Sequence, residues 1–183
     1  IYCHVVVIVV VVLVVVVVVL VVVVEVIVVI VVVVVVVIII FIDIEHFIIP
    51  NELTFTLMII GFLKSFDPYL NQYLFPNYLN SLIGGVIGYS IIWFIIFAYK
   101  KIRNKEGMGL GDAKLLSAIG FWFGWMSIPF ILFFSSFIAL AYALPSLLNK
   151  SKNMSSSIPY GPYLVLGCVL YLFLLKQIVL YLN

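Results

Sequence analysis

Charge is scarce in this chain. Only 9% of its 183 residues are Asp, Glu, Lys or Arg, against about 25% in soluble domains. Hydrophobic residues make up 67%, and a chain of this size cannot hide that much apolar surface from water. A soluble globular enzyme and a disordered chain are both excluded. Nine Lys and Arg against seven Asp and Glu leave a net charge of +2. That is too little for a basic face, so no nucleic acid is expected as a partner. Cysteine is nearly absent: Cys3 and Cys168 stand far apart and neither belongs to a CxxC pair. No disulfide framework and no metal site are expected, and Cys168 reads as a small buried hydrophobe. No charged stretch leads into a short apolar run with a small-residue cleavage site, so no signal peptide is read. What remains is an all-α fold, a polytopic integral membrane helical bundle with lipid as its surroundings.

Residues 5–42 are Val, Ile, Leu and Phe, interrupted only by Glu25. This low-complexity run is read only as hydrophobic. It is too long for one span of about 20 residues and suits two transmembrane helices, with Glu25 at the turn between them. Residues 43–183 carry the motifs. A third helix is expected near Leu53–Leu63, a fourth near Ser81–Tyr99, a fifth from Asp112 to Trp125, a sixth from Pro129 to Leu144 and a seventh from the Pro159–Pro162 turn to Leu182. The whole of 1–183 then forms a single domain of about seven transmembrane helices. Seven of the nine basic residues fall on one side of that topology: Lys100, Lys101, Arg103, Lys105, Lys114, Lys150 and Lys152. The positive-inside rule makes this side cytoplasmic. Lys64 and Lys176 are expected to snorkel. Trp122 and Trp125 read as interfacial anchors.

That orientation gathers three distant motifs at one membrane face. Asp43 ends the long apolar run, and by itself it would be an ordinary polar helix end. Gly107-Met-Gly109-Leu-Gly111-Asp112 opens a helix. Alternate glycines suggest an open backbone and a close approach to a neighbour. An acidic residue at that helix mouth is favoured as an N-cap. The phosphate-cradling reading fails, because no Gly-Lys-Ser/Thr follows. Ionisable residues at membrane depth are functional candidates by default, and two aspartates at one depth make a pair that shares a proton. Asp112 opens a helix and Asp43 ends one. The dipoles therefore assign the anion to Asp112 and the proton to Asp43.

Three segments together, Asp43 through Pro50 to Thr54, Gly107 to Leu115 and Ile158 to Tyr163, resemble the type IV prepilin leader peptidases, intramembrane aspartic proteases of the GxGD kind. The resemblance covers residue 40 to the end. It implies cleavage of the basic leader of type IV prepilins or pseudopilins at the cytoplasmic membrane face, with Asp43 and Asp112 as the catalytic pair. Pro50, Gly107, Gly109, Gly111, Pro159, Gly161 and Pro162 would shape the site. Lys114 reads as an interface anchor beside it. Glu45, Glu52 and Glu106 are candidates for meeting the leader's basic residues. No cofactor is implied for the proteolysis. Many bacterial members also methylate the new N-terminus with S-adenosylmethionine. Longer members carry a cytoplasmic N-terminal region with two CxxC pairs, and no such pair occurs in these residues.

Two rivals predict different things. A transporter or channel predicts an internal repeat or midplane charges, and neither is seen. A structural subunit of a pilus or secretion machine would tolerate loss of either aspartate. Presenilin-like GxGD enzymes would place a Tyr-Asp pair at Asp43, where Ile42 precedes the aspartate.

Overall fold

The computed structural model describes residues 2–66, 76–103, 109–148 and 159–182. Six α-helices make up these segments: α1 (Tyr2–His46), α2 (Asn51–Lys64), α3 (Tyr78–Arg103), α4 (Leu110–Phe123), α5 (Ser127–Leu148) and α6 (Gly161–Leu182). No strand occurs among the described residues. The chain divides into two compact units, Ile1–Val37 and Ile38–Asn183. The first is helical wherever it is described. The second holds all the helix packing discussed below.

The turn expected at Glu25 is not there: residues 2–46 form one helix of 45 residues. The reason is chemical. Nothing between 5 and 42 is Gly, Pro, Asn or Ser, so the run has no residue that favours a turn. A glutamate is a good helix former, and charge alone does not bend a chain. Three helices among the described residues are long and apolar enough to cross a bilayer: Val26–His46, Tyr78–Ile102 and Ser127–Leu144. That compares with about seven spans counted from the sequence. α2 and α4 hold 14 residues each, about 21 Å against the roughly 30 Å of a hydrocarbon core.

Packing is built on small residues. In lipid the hydrophobic effect does not drive helices together, so close backbone approach and interhelical hydrogen bonds must. α3 supplies Gly84, Gly85 and Gly88, and α4 supplies Gly120. A methyl group added at Gly120 would lie 2.3 Å from the Gly84 carbonyl oxygen, and one at Gly88 would lie 2.7 Å from the Leu116 carbonyl oxygen. Two serines tie the same pair of helices. Ser117 Oγ donates to the Gly85 carbonyl at 2.8 Å, and Ser81 Oγ donates to the Phe121 carbonyl at 2.6 Å. On its other side α4 meets α2. Gly61 leaves room for the Trp122 ring, and Trp122 Nε1 donates to the Leu57 carbonyl at 2.9 Å. Trp122 is therefore a buried clamp and not the expected interfacial anchor, and Lys64 Nζ lies 6.0 Å from the centre of its ring. Trp125 is 41% exposed, as an anchor should be.

α4 ends at Phe123 because Gly124 takes a positive φ of 76°, a conformation that glycine adopts without steric cost. Ser127 Oγ closes the short turn onto the Gly124 carbonyl at 2.7 Å. α5 packs on α6, where a methyl at Gly167 would lie 2.8 Å from the Ile131 carbonyl oxygen. Three of the four phenylalanines of α5, Phe130, Phe133 and Phe137, stay exposed, as lipid-facing residues do. α4 thus sits enclosed, with nine residues from Asp112 to Trp122 buried.

The close approach of α3 and α4 can be tested by adding one methyl group. Gly120→Ala forces backbone apart and should cost about 1–3 kcal/mol, read as a lowered Tm in detergent. Gly109→Ala meets no neighbour nearer than 3.8 Å and should cost less, about 0.5–1 kcal/mol, from the change of the residue that caps α4.

Candidate active site

α1 turns out of its last residues through Phe47, whose φ of 55° is left-handed. Its N–H donates to the Asp43 carbonyl at 3.0 Å, the bond that closes a helix C-terminus. This turn points the chain toward Ile49 and Pro50. Pro50 then caps α2 with φ −62°, the value its ring imposes. Thr54 Oγ1 folds back onto the Pro50 and Asn51 carbonyls at 3.2 and 3.0 Å. Asp43 is left 4% exposed at the end of α1.

Asp112 is not the N-cap of α4. Gly109 holds that position, with extended φ and ψ of −81° and 148°. Asp112 lies in the first turn, 7% exposed, and its carboxyl takes a backbone hydrogen bond from Gly109. That is the acidic half of a capping box: a third-position carboxylate reaching back to the cap's own N–H. The glycines before it serve different ends. Gly111 allows close approach, since a methyl there would lie 2.9 Å from Ile49 Cβ. Gly109 has ordinary room around it, and among the described residues only Gly124 takes a positive φ for glycine. Gly107 and Glu106 lie outside the described residues.

α6 delivers the third part. Gly161 N–H donates to Asp43 Oδ2 at 3.0 Å, across 118 positions of sequence. A methyl at Gly161 would lie 2.6 Å from that same oxygen and 3.3 Å from Ile49 Cδ1. Asp43 and Asp112 are close enough to act on each other electrostatically. Two carboxyls from helices far apart in sequence therefore share one buried site, with Ile49 packed against the start of α4 and the start of α6.

This changes the sharing of charge expected from helix ends. Asp43 does end its own helix, but its carboxyl faces the first N–H of a different one. An orphan N–H at a helix start favours the anion. Both aspartates thus receive a backbone donor, and the dipole argument no longer separates them. Asp43 and Asp112 are brought together, as are Gly111 and Gly161 on Ile49, the residue before Pro50. Pro159 and Pro162 flank Gly161 in the turn. Lys114 is not a free anchor: its Nζ donates to the Asn51 side-chain oxygen at the start of α2. Glu45 and Glu52 are exposed, with Glu45 beside His46 at 3.9 Å, a pairing worth little in solvent. Cys168 is half-buried. Sequence reasoning missed Ile49 and Tyr160. Both lay inside recognised motifs, but an isoleucine in an apolar chain gives no signal, and Tyr160 was overshadowed by the Gly and Pro beside it.

Comparison with known proteins gives a consistent set. The family model described as type IV leader peptidase family matches residues 30–144. A protein of Aeromonas salmonicida (strain A449) named prepilin leader peptidase/N-methyltransferase is 35% identical over 130 residues, covering 69% of this chain and 42% of the relative. The protein of that name from Dichelobacter nodosus is 37% identical over 127 residues, covering 69% and 41%. That from Escherichia coli (strain K12) is 33% identical over 129 residues, covering 70% and 55%. The chain thus spans about two fifths to just over half of these relatives. No solved structure matches.

The contact between Gly161 and Asp43 predicts a coupled pair. Gly161→Ala should lower stability by about 1–3 kcal/mol. In an Asp43→Ala background, which removes the clashing oxygen, most of that cost should vanish. Thermal unfolding of both single variants and the double in detergent measures this coupling.

Proposed function

The chain belongs to the type IV leader peptidase family, and from that membership we propose that it is an aspartic endopeptidase cleaving the basic leader of type IV prepilins or pseudopilins. The observation that carries the proposal is the burial of Asp43 and Asp112 in one site, each with its own backbone donor. Two carboxyls in a poorly solvated site ionise together only at high cost, so they hold one proton between them. In that state one carboxylate takes a proton from water while the other donates to the scissile carbonyl oxygen. The water attacks, and the dyad's proton then moves to the leaving amine. No covalent intermediate is required.

Residues 1–183 act in this reading as a single membrane peptidase domain. The substrate's apolar helix lies in the bilayer and its basic leader lies outside. Exposed Glu45 and Glu52 supply negative charge at the end of α1 and the start of α2, as Glu106 would by its sequence position. The basic residues Lys100, Lys101 and Arg103 at the end of α3, with Lys114 beside Asp112, support an inner-membrane protein whose site opens on the cytoplasmic side. Methyl transfer from S-adenosylmethionine to the new N-terminus is a second proposed activity. It rests on the relatives' printed name, and no step here is routed through it.

Incubation of the detergent-purified protein with a prepilin-like substrate should release the leader, read by mass spectrometry. Asp43→Asn and Asp112→Asn should each lower the rate by at least about a hundredfold. Activity of the parent should follow a bell-shaped pH profile whose two limbs belong to the pair. Undiminished cleavage in either variant refutes the dyad. An added methyl mass in the presence of S-adenosylmethionine reports the second activity.

A further inference from the structure

The four-residue turn that opens α6 carries two prolines, one glycine and Tyr160. Pro159 and Pro162 fix φ but have no N–H to give. Gly161 has no side chain and no space for one, because its missing methyl would meet Asp43 Oδ2. Tyr160 is therefore the one residue of the turn whose side chain can anchor it by hydrogen bonds.

It does so on α5. The Tyr160 hydroxyl lies 2.8 Å from Ser135 Oγ and 3.1 Å from Ser136 Oγ. Each hydroxyl has one proton, which sets the order of donation. Ser135 is fully buried and gives its proton to the Leu132 carbonyl at 3.1 Å. Tyr160 thus donates to Ser135 and accepts from Ser136. Its own carbonyl accepts from the Tyr163 and Leu164 N–H groups, both at 3.1 Å, and starts the helix. The next N–H along the chain, that of Gly161, is the one on Asp43.

We propose that Tyr160 is a positioning residue: its hydroxyl, held by Ser135 and Ser136, fixes the start of α6 so that the Gly161 N–H meets the Asp43 carboxyl. The proposal rests on the reading of Asp43 as catalytic for its effect on rate. The anchor itself is a matter of geometry and can be tested separately.

Three variants serve: Tyr160→Phe, which keeps the ring, Ser135→Ala with Ser136→Ala, and all three changes together. Leader cleavage should show kcat lowered about five- to tenfold for the first two, with KM within about twofold of the parent. The combined variant should be no worse than either, because one linkage is lost only once. Hydrogen exchange read by mass spectrometry gives the second measure. Between 159 and 162 only Tyr160 and Gly161 carry an amide hydrogen, so this segment reports on the contact directly. Its exchange should quicken severalfold in all three variants. Parent-like kcat in Tyr160→Phe, multiplied losses in the combined variant, or a lowered Tm with unchanged kcat would each overturn the positioning role. A parent protein that cleaves nothing would defeat the catalytic reading of Asp43. Exchange at 160 and 161 would still decide the anchor, with unchanged exchange refuting it.

Discussion

Ile49 is packed where three segments of chain converge. It follows the left-handed turn that ends α1, it lies against the start of α4 at Gly111, and it touches the start of α6 at Gly161. Each contact exists because a side chain is missing on the opposite wall. The consequence reaches both aspartates. Asp43 lies six residues before Ile49 and Asp112 one residue after Gly111, so both carboxyls stand a short stretch of chain from this apolar contact. In a medium where burial of oil gives little driving force, such tight fits and the hydrogen bonds beside them hold helices in place.

The same logic runs through the rest of the bundle. α4 is short and enclosed, clamped to α3 by glycines and serines and to α2 by Trp122. Its rigidity matters because it presents Asp112 from its first turn. α6 depends instead on its opening turn, where Tyr160 reaches α5 and Gly161 reaches α1. One carboxyl is thus supported by its own helix and the other by a helix from the far end of the chain. The proposed proton sharing draws on both supports.

Much of this was legible in the sequence, for reasons that differ residue by residue. The helix starts at Asn51 and Gly161 follow Pro and Gly signals that act locally. The two aspartates stood out because charge is so scarce in this chain. Glu25 misleads for the same reason: a rare charge suggests a turn where no turn-forming residue stands. Trp122 misled because a tryptophan near a helix end suits an interface as well as a clamp, and only the space at Gly61 distinguishes the two. The donor to Asp43 was invisible. A backbone N–H leaves no mark in a sequence, and helix-end reasoning looks only along one helix when the partner belongs to another.

The bond between Gly161 and Asp43 also has a meaning in time. A chain is made from its N-terminus, and Asp43 is in place 118 positions before its donor exists. Until α6 has been made, one wall of the site is missing and the Asp43 carboxyl lacks its Gly161 donor. A growing chain would therefore carry both acids before the Gly161 N–H is there to meet Asp43. In the proposed reading, the paired site is complete only once α6 has joined it.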